Sequence, residues 1–259
     1  MTKQEIIISL TISLFSGFLI FFLGLFWPKI PKTIKQFQLR RFFGKGVFNN
    51  GFALIYGTII DSRLMKPNPE KHRFVKQFRD GRIIKLVGPW GDIVGNCEIR
   101  AASYLINAIS TYRQNPIKVI DDKTCLKNLD STYVAFGSPS SNELSELIIK
   151  DSANKFLEFG QDEQGTFILA KQTGKKFYEL QEPIKKDYGI ILKIPNTRFP
   201  GYYFIVCAGL GEWGTSGSAW YLSKKWNDLS KDKSGFGIVV EIEQKSDTSA
   251  IKMFPNGPD

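Results

Sequence analysis

Apolar residues along the chain fall into three patterns: one long unbroken run, several short runs of four to eight, and a few stretches with helical spacing. The long run comes first, since residues 6–27 carry no charge over 22 positions. At 1.5 Å per residue it matches a hydrocarbon core of about 30 Å, so the pattern predicts a transmembrane helix. Short runs at 52–60, 83–87, 118–120, 132–136, 188–194, 202–208, 236–242 and 251–254 read as strands. Between them, Ile99, Ala102, Leu105, Ile106 and Ile109 recur at intervals of three and four and predict a helix over 98–113. Further helices are predicted from residue 143 to about 150 and from the loop at 209–218 to about Trp226, and residues 156–159 and 166–170 read as a hairpin.

Strands alternating with helices predict an α/β fold: a Rossmann-like three-layer domain with a mainly parallel sheet and some antiparallel additions, preceded by a single transmembrane helix. The expected division is an anchor at 1–28, a basic juxtamembrane linker at 29–46 and one α/β domain at 47–259. Composition fits a folded domain, with 42% hydrophobic and 14% aromatic residues.

Charge then sharpens the membrane reading. The formal net charge is +10, yet Lys29, Lys32, Lys35, Arg40, Arg41 and Lys45 cluster directly after the apolar run with no acid among them. Such a cluster suits anionic lipid head groups, makes nucleic acid an unneeded partner, and by the positive-inside rule places the C-terminal domain in the cytoplasm of a cell-membrane protein. Ser9, Ser13 and Gly17 lie four apart, a spacing that lets membrane helices approach closely, so a homo-oligomer is an expected partner state. Cys97, Cys125 and Cys207 are far apart and His72 is the single histidine, a set that indicates neither a metal site nor a disulfide framework.

Candidate chemistry sits where strands run into helices. Gly209, Gly211 and Gly214 spell G-x-G-x-x-G after an apolar strand, a turn that aims backbone N–H groups and a helix N-terminus at one point and suits a phosphate. A second loop holds Gly137, Ser138, Ser140, Ser141 and Asn142, in which Ser140 and Glu143 also read as a capping box. A third spans residues 88–96 and includes Asp92. If their strands are parallel, all three loops meet at one sheet edge. The expected ligand-binding set is Gly137, Ser138, Ser140, Ser141, Asn142, Gly209, Gly211, Glu212, Gly214, Thr215 and Ser216, around a nucleotide-like ligand. The acid that a dinucleotide fingerprint requires on the next strand falls late, at Glu241 or Glu243, so a conventional dehydrogenase is not expected.

The loop at 137–142 together with the later run from Ala208 to Gly217 resembles the Rossmann-like sensor and effector domains of bacterial conflict systems, similar to TIR, SLOG or CARF domains. The likeness covers two loops and the overall layout. It implies antiviral defence, through sensing of a nucleotide signal or through nucleotide cleavage. Two readings therefore stand side by side: a membrane-anchored sensor that binds a nucleotide-like ligand, and a hydrolase of a nucleotide or NAD glycosidic bond with Glu212 or Glu98 as its carboxylate. A protein-interaction scaffold is the third.

Overall fold

The computed structural model describes residues 15, 16, 18, 21, 29–58, 73–77, 83–87, 94–178, 186–229 and 235–255. Their order is α1 (Lys29–Phe43), β1 (Phe52–Tyr56), β2 (Arg73–Gln77), β3 (Ile83–Val87), α2 (Asn96–Ser110), β4 (Lys118–Asp121), α3 (Asp122–Leu126), β5 (Thr132–Phe136), α4 (Glu143–Lys150), β6 (Leu157–Asp162), β7 (Gly165–Ala170), β8 (Lys175–Tyr178), β9 (Lys186–Pro195), β10 (Tyr203–Gly209), α5 (Glu212–Leu229), β11 (Phe236–Glu243), a 3-10 turn (Asp247–Ser249) and β12 (Ile251–Phe254).

Seven strands form the central sheet in the order β12-β11-β9-β10-β5-β1-β4. The four strands β10, β5, β1 and β4 are mutually parallel, while β9, β11 and β12 join antiparallel. Both sheet faces are covered, which is why these strands read as continuous apolar runs. On one face Phe52, Leu54, Val134, Phe136, Ile205 and Cys207 pack against α1, α2 and α5. On the other, Ala53, Ile55, Tyr133, Ala135, Phe204 and Val206 pack against α3, α4 and the small antiparallel sheet β6-β7-β8. The alternation along each strand has the period of two that a pleated strand imposes.

The N-terminal reading needs correction. The anchor expected at residues 6–27 lies almost wholly outside the described residues, and among the described residues no helix is long and apolar enough to cross a membrane. That finding overturns the single-pass membrane fold and the cell-membrane localisation built on it. The segment after it is no linker either. It is the helix α1, whose Leu39, Phe42 and Phe43 are fully buried in the same core as the central strands. Two cations of this segment meet aromatic rings: Lys35 of α1 stands 5.6 Å from the Trp226 ring centroid, and the ammonium of Lys45, just beyond the helix, 4.5 Å from that of Tyr202. Lys32, Arg40 and Arg41 are exposed on the outer side of a helix that the domain core holds by its aromatic side.

Candidate functional site

The parallel strands place the candidate site. From β1 the chain crosses to α2 on one face, and from the neighbouring β5 it crosses to α4 on the other. Connections that diverge to opposite faces leave a crevice between the carboxyl ends of the two strands, the usual ligand position in an open α/β sheet. Here that crevice is bounded by Gly57 and Thr58 after β1 and by residues 137–142 after β5.

Glycine at 57 permits the approach. A Cβ there would stand 2.0 Å from the Ser141 carbonyl oxygen, so only a residue without one lets the β5 loop lie against the end of β1. Beneath the loop sits Glu98, from the first turn of α2, only 4% exposed. Its Oε2 accepts the Gly57 N–H at 3.1 Å, and a Cβ at Gly137, where φ is +100°, would stand 2.8 Å from its Oε1 and 2.6 Å from the Ser141 Oγ. A carboxylate is therefore buried directly between the two strand ends.

The β5 loop closes on itself. The Ser138 carbonyl accepts the N–H groups of Ser141 at 2.9 Å and Asn142 at 3.0 Å, and the Ser138 and Ser140 hydroxyls lie 2.8 Å apart. The capping box expected from Ser140 and Glu143 is replaced by a different cap. Asn142 Oδ1 accepts the Ser145 N–H at 3.0 Å, while Asp122 Oδ2 accepts the Glu143 N–H at 2.8 Å. The other Asp122 oxygen accepts from the Thr58 hydroxyl at 3.1 Å and the Lys123 N–H at 3.0 Å, tying the ends of β1 and β4 to the start of α4.

The glycine-rich loop is built otherwise than its motif suggests. Gly209 ends β10, and the turn enters α5 at Glu212 as expected. The Gly211 N–H, however, donates to Asp187 Oδ1 at 3.1 Å and the Gly214 N–H to Asp187 Oδ2 at 2.7 Å, and Tyr188 N–H donates to the same carboxylate at 2.7 Å. The donors that would cradle a phosphate are held by an internal anion at the start of β9. Thr215 and Ser216 are turned inward as well. The Thr215 Oγ1 accepts the Gly209 N–H at 3.0 Å; the Ser216 hydroxyl meets Asp247 Oδ1 at 2.5 Å and accepts from Arg100 Nη2 at 3.0 Å. Arg100 also donates to Asp247 Oδ2 at 3.0 Å and lies 4.3 Å from the Trp213 ring centroid, so the turn after β11 is pinned to α2 and α5. Glu241 does not reach this loop; it accepts from Lys186 at 2.6 Å and from the Tyr188 hydroxyl at 3.1 Å.

This arrangement makes an anion at the glycine loop unfavourable while Asp187 is present, because it would face a like charge across shared donors. Asp187→Ser is expected to cost about 1–3 kcal/mol through lost capping and to make the variant responsive to inorganic phosphate. Thermal melts in phosphate and in chloride at matched ionic strength check it: phosphate should raise the midpoint of the variant and leave the wild-type chain unchanged. An equal rise in both would show that phosphate reaches the loop with Asp187 in place.

Cys97 precedes Glu98 in the first turn of α2. Burial pushes its thiol up to about 11, and the charges of Glu98 and Glu212 add to the shift. The thiol is protonated at neutral pH and is not a nucleophile. Its two acidic neighbours nevertheless locate Glu212, exposed in the first turn of α5, near the same end of α2 as Glu98. Of the three loops, two are brought to one edge together with the end of β1; Asp92 and residues 88–93 lie outside the described residues. Among the described residues no group of three or more His, Cys, Asp or Glu side chains is placed to hold a metal ion. Gly57, Thr58, Asp122 and Asp187 were absent from the expected set. The sequence reads Gly57 and Thr58 as part of a strand over 52–60, whereas β1 ends at Tyr56; Asp122 is an acid directly after a strand, and Asp187 has no such signal nearby in the chain.

Comparison with protein-family models, with curated proteins and with solved structures returns no match to this chain.

Proposed function

We propose that the chain binds a nucleotide-like small molecule in the crevice between β1 and β5, with Glu98 accepting hydrogen bonds from the sugar hydroxyls. The observation that carries this reading is the buried Glu98 carboxylate, fixed by Gly57 and overlain by Gly137 at the point where the strand connections diverge. An acidic floor favours hydroxyl or amino donors over phosphate, and the glycine loop supports the same preference because Asp187 already uses its N–H groups. Any phosphate of the ligand is then directed away from the strand ends, and Ser138 and Ser140 at the rim of the loop offer hydroxyls to the ligand.

Glu98 in the first turn of α2 and Glu212 in the first turn of α5 stand where Arg100 meets the Trp213 ring, and this favours one further reading, hydrolysis of a glycosidic bond by a pair of carboxylates. One would stabilise positive charge developing on the sugar and the other would protonate the leaving group or activate water. Incubating the full chain with NAD and with mono-, di- and cyclic nucleotides, followed by mass spectrometry, separates the two. Intact bound nucleotide means a binding module; free base released by the wild-type chain and not by Glu98→Gln means an enzyme. Absence of both binding and release would overturn the proposal and favour the protein-interaction scaffold.

A further inference from the structure

A cavity of about 390 Å³ opens between α1, the C-terminal half of α2 and α5, on the helical face of the sheet. Its lining brings together Tyr104 and Tyr112, Trp220 and Trp226, and two cations, Lys35 and Lys224. Among the described residues that line it none is a carboxylate. Trp226 is almost fully buried and fixed against Phe42 and Phe43, while Trp220 and both tyrosines are half-buried, so ring surface is offered to the void. The walls are held in place by bonds outside the cavity's own needs. The Tyr104 hydroxyl donates to Asp247 at 2.9 Å, and the Gln36 side-chain amide donates to the Tyr112 carbonyl at 3.0 Å, joining α1 to the end of α2. Two of the carbonyls that end α2 accept as well, since Tyr112 N–H donates to Ile109 and Arg113 N–H to Ser110.

Aromatic walls and two ammonium groups, with no acid among the described lining residues, define one ligand chemistry. We propose that this cavity is a second binding site, for a planar aromatic anion of one or two rings bearing a carboxylate, its ring system against the Tyr and Trp side chains and its charge met by Lys35 and Lys224. The volume lies within the range of small-molecule sites. Ring stacking supplies the affinity and the lysines the sign selectivity. The site is independent of the strand-end crevice: it uses the opposite ends of α2 and α5 and none of the same residues.

The test is calorimetric titration of the full chain with 2-naphthoate, with the neutral 2-naphthamide, and with the cation 2-naphthylmethylammonium. Naphthoate is expected to bind at least about fivefold more tightly than the amide, with the cation weakest. Lys224→Glu, at an exposed position, should weaken naphthoate binding by at least about fivefold and spare the amide, and Trp220→Ala should weaken both. Lys35→Gln, on a different helix, repeats the charge test should Lys224→Glu alter folding as judged by circular dichroism. Equal binding of the three probes, unchanged naphthoate affinity in both lysine variants, or no binding at millimolar concentration would each overturn the proposal.

Discussion

Gly209→Val is expected to prevent the chain from folding under conditions in which the wild type is native. A Cβ at this position would lie 2.4 Å from the Thr215 nitrogen and 2.5 Å from the Gly214 Cα, and both are backbone atoms of the first turn of α5. Neither side can yield cheaply. Gly209 ends a strand that is hydrogen-bonded on both sides, to β5 and to β9, while α5 is locked by Asp187 and by the bond from Gly209 N–H to Thr215. Overpacking of side chains in a core costs about 1–3 kcal/mol. A clash of backbone on backbone exceeds that and approaches the whole stability of an ordinary domain, about 5–15 kcal/mol. Circular dichroism with urea titration reads the outcome, with Ser140→Val as a control in an exposed loop. A Gly209→Val chain with the wild-type urea midpoint would contradict the close contact between strand and helix.

Phe43→Ala carries the second large effect, a loss of about 3–5 kcal/mol. The Phe43 ring is fully buried, lies edge-on to Phe42 at 4.7 Å and to Phe52 at 5.5 Å, and stands 6.3 Å from Trp226. Removing it opens a void shared by α1, β1 and α5. Next to it Lys193, fully buried on β9, holds its ammonium 4.5 Å from the Phe42 ring centroid and 4.1 Å from that of Tyr203, so the aromatic cluster also stabilises a cation. Phe37→Ala, on the outer side of α1 at 68% exposure, should change stability by no more than about 0.5 kcal/mol. Urea denaturation of the full chain compares the two. Equal, small effects would mean that α1 is not part of the domain core.

Much of the strand and helix layout was legible because burial on both faces of the sheet leaves continuous apolar runs. Residues 132–136 and 251–254 were read with the bounds that β5 and β12 have, and β9 and β10 were each found within two residues. The edge was harder to read. Strand β2, with the sequence Arg-Phe-Val-Lys-Gln, alternates too weakly to stand out, and the cations of α1 mask Leu39, Phe42 and Phe43, so its sequence reads as a linker. The apolar run before α1 invited a membrane reading that no described helix supports.

At the glycine-rich loop, the sequence shows the turn from strand to helix but not the group that fills it. G-x-G-x-x-G reports the steric need for glycine at 209 and 214, which the structure bears out through close backbone contacts. It does not report which group accepts the freed N–H bonds. That depends on a carboxylate 24 and 27 positions earlier in the chain, brought alongside by antiparallel pairing of β9 with β10. Likewise Ser140 fits a capping pattern, but Asn142 is nearer the helix and Asp122 arrives from another strand end, so tertiary contacts decide the cap. Glu98 was singled out as a weak catalytic candidate; its place under Gly137 rests on the crossing from β1 to α2, which local pattern cannot show.

The most direct test of a ligand crevice at Glu98 is calorimetric titration of the wild-type chain and Glu98→Gln with a panel of nucleosides and mono-, di- and cyclic nucleotides. Glutamine retains an oxygen to accept the Gly57 N–H, so the variant should fold while losing the charge-assisted bonds to sugar hydroxyls. At about 1.5–3 kcal/mol for such bonds, affinity should fall by roughly 10- to 100-fold. Binding of a panel member that is equally tight in both proteins, or no binding to the wild-type chain at millimolar concentration, would contradict the account.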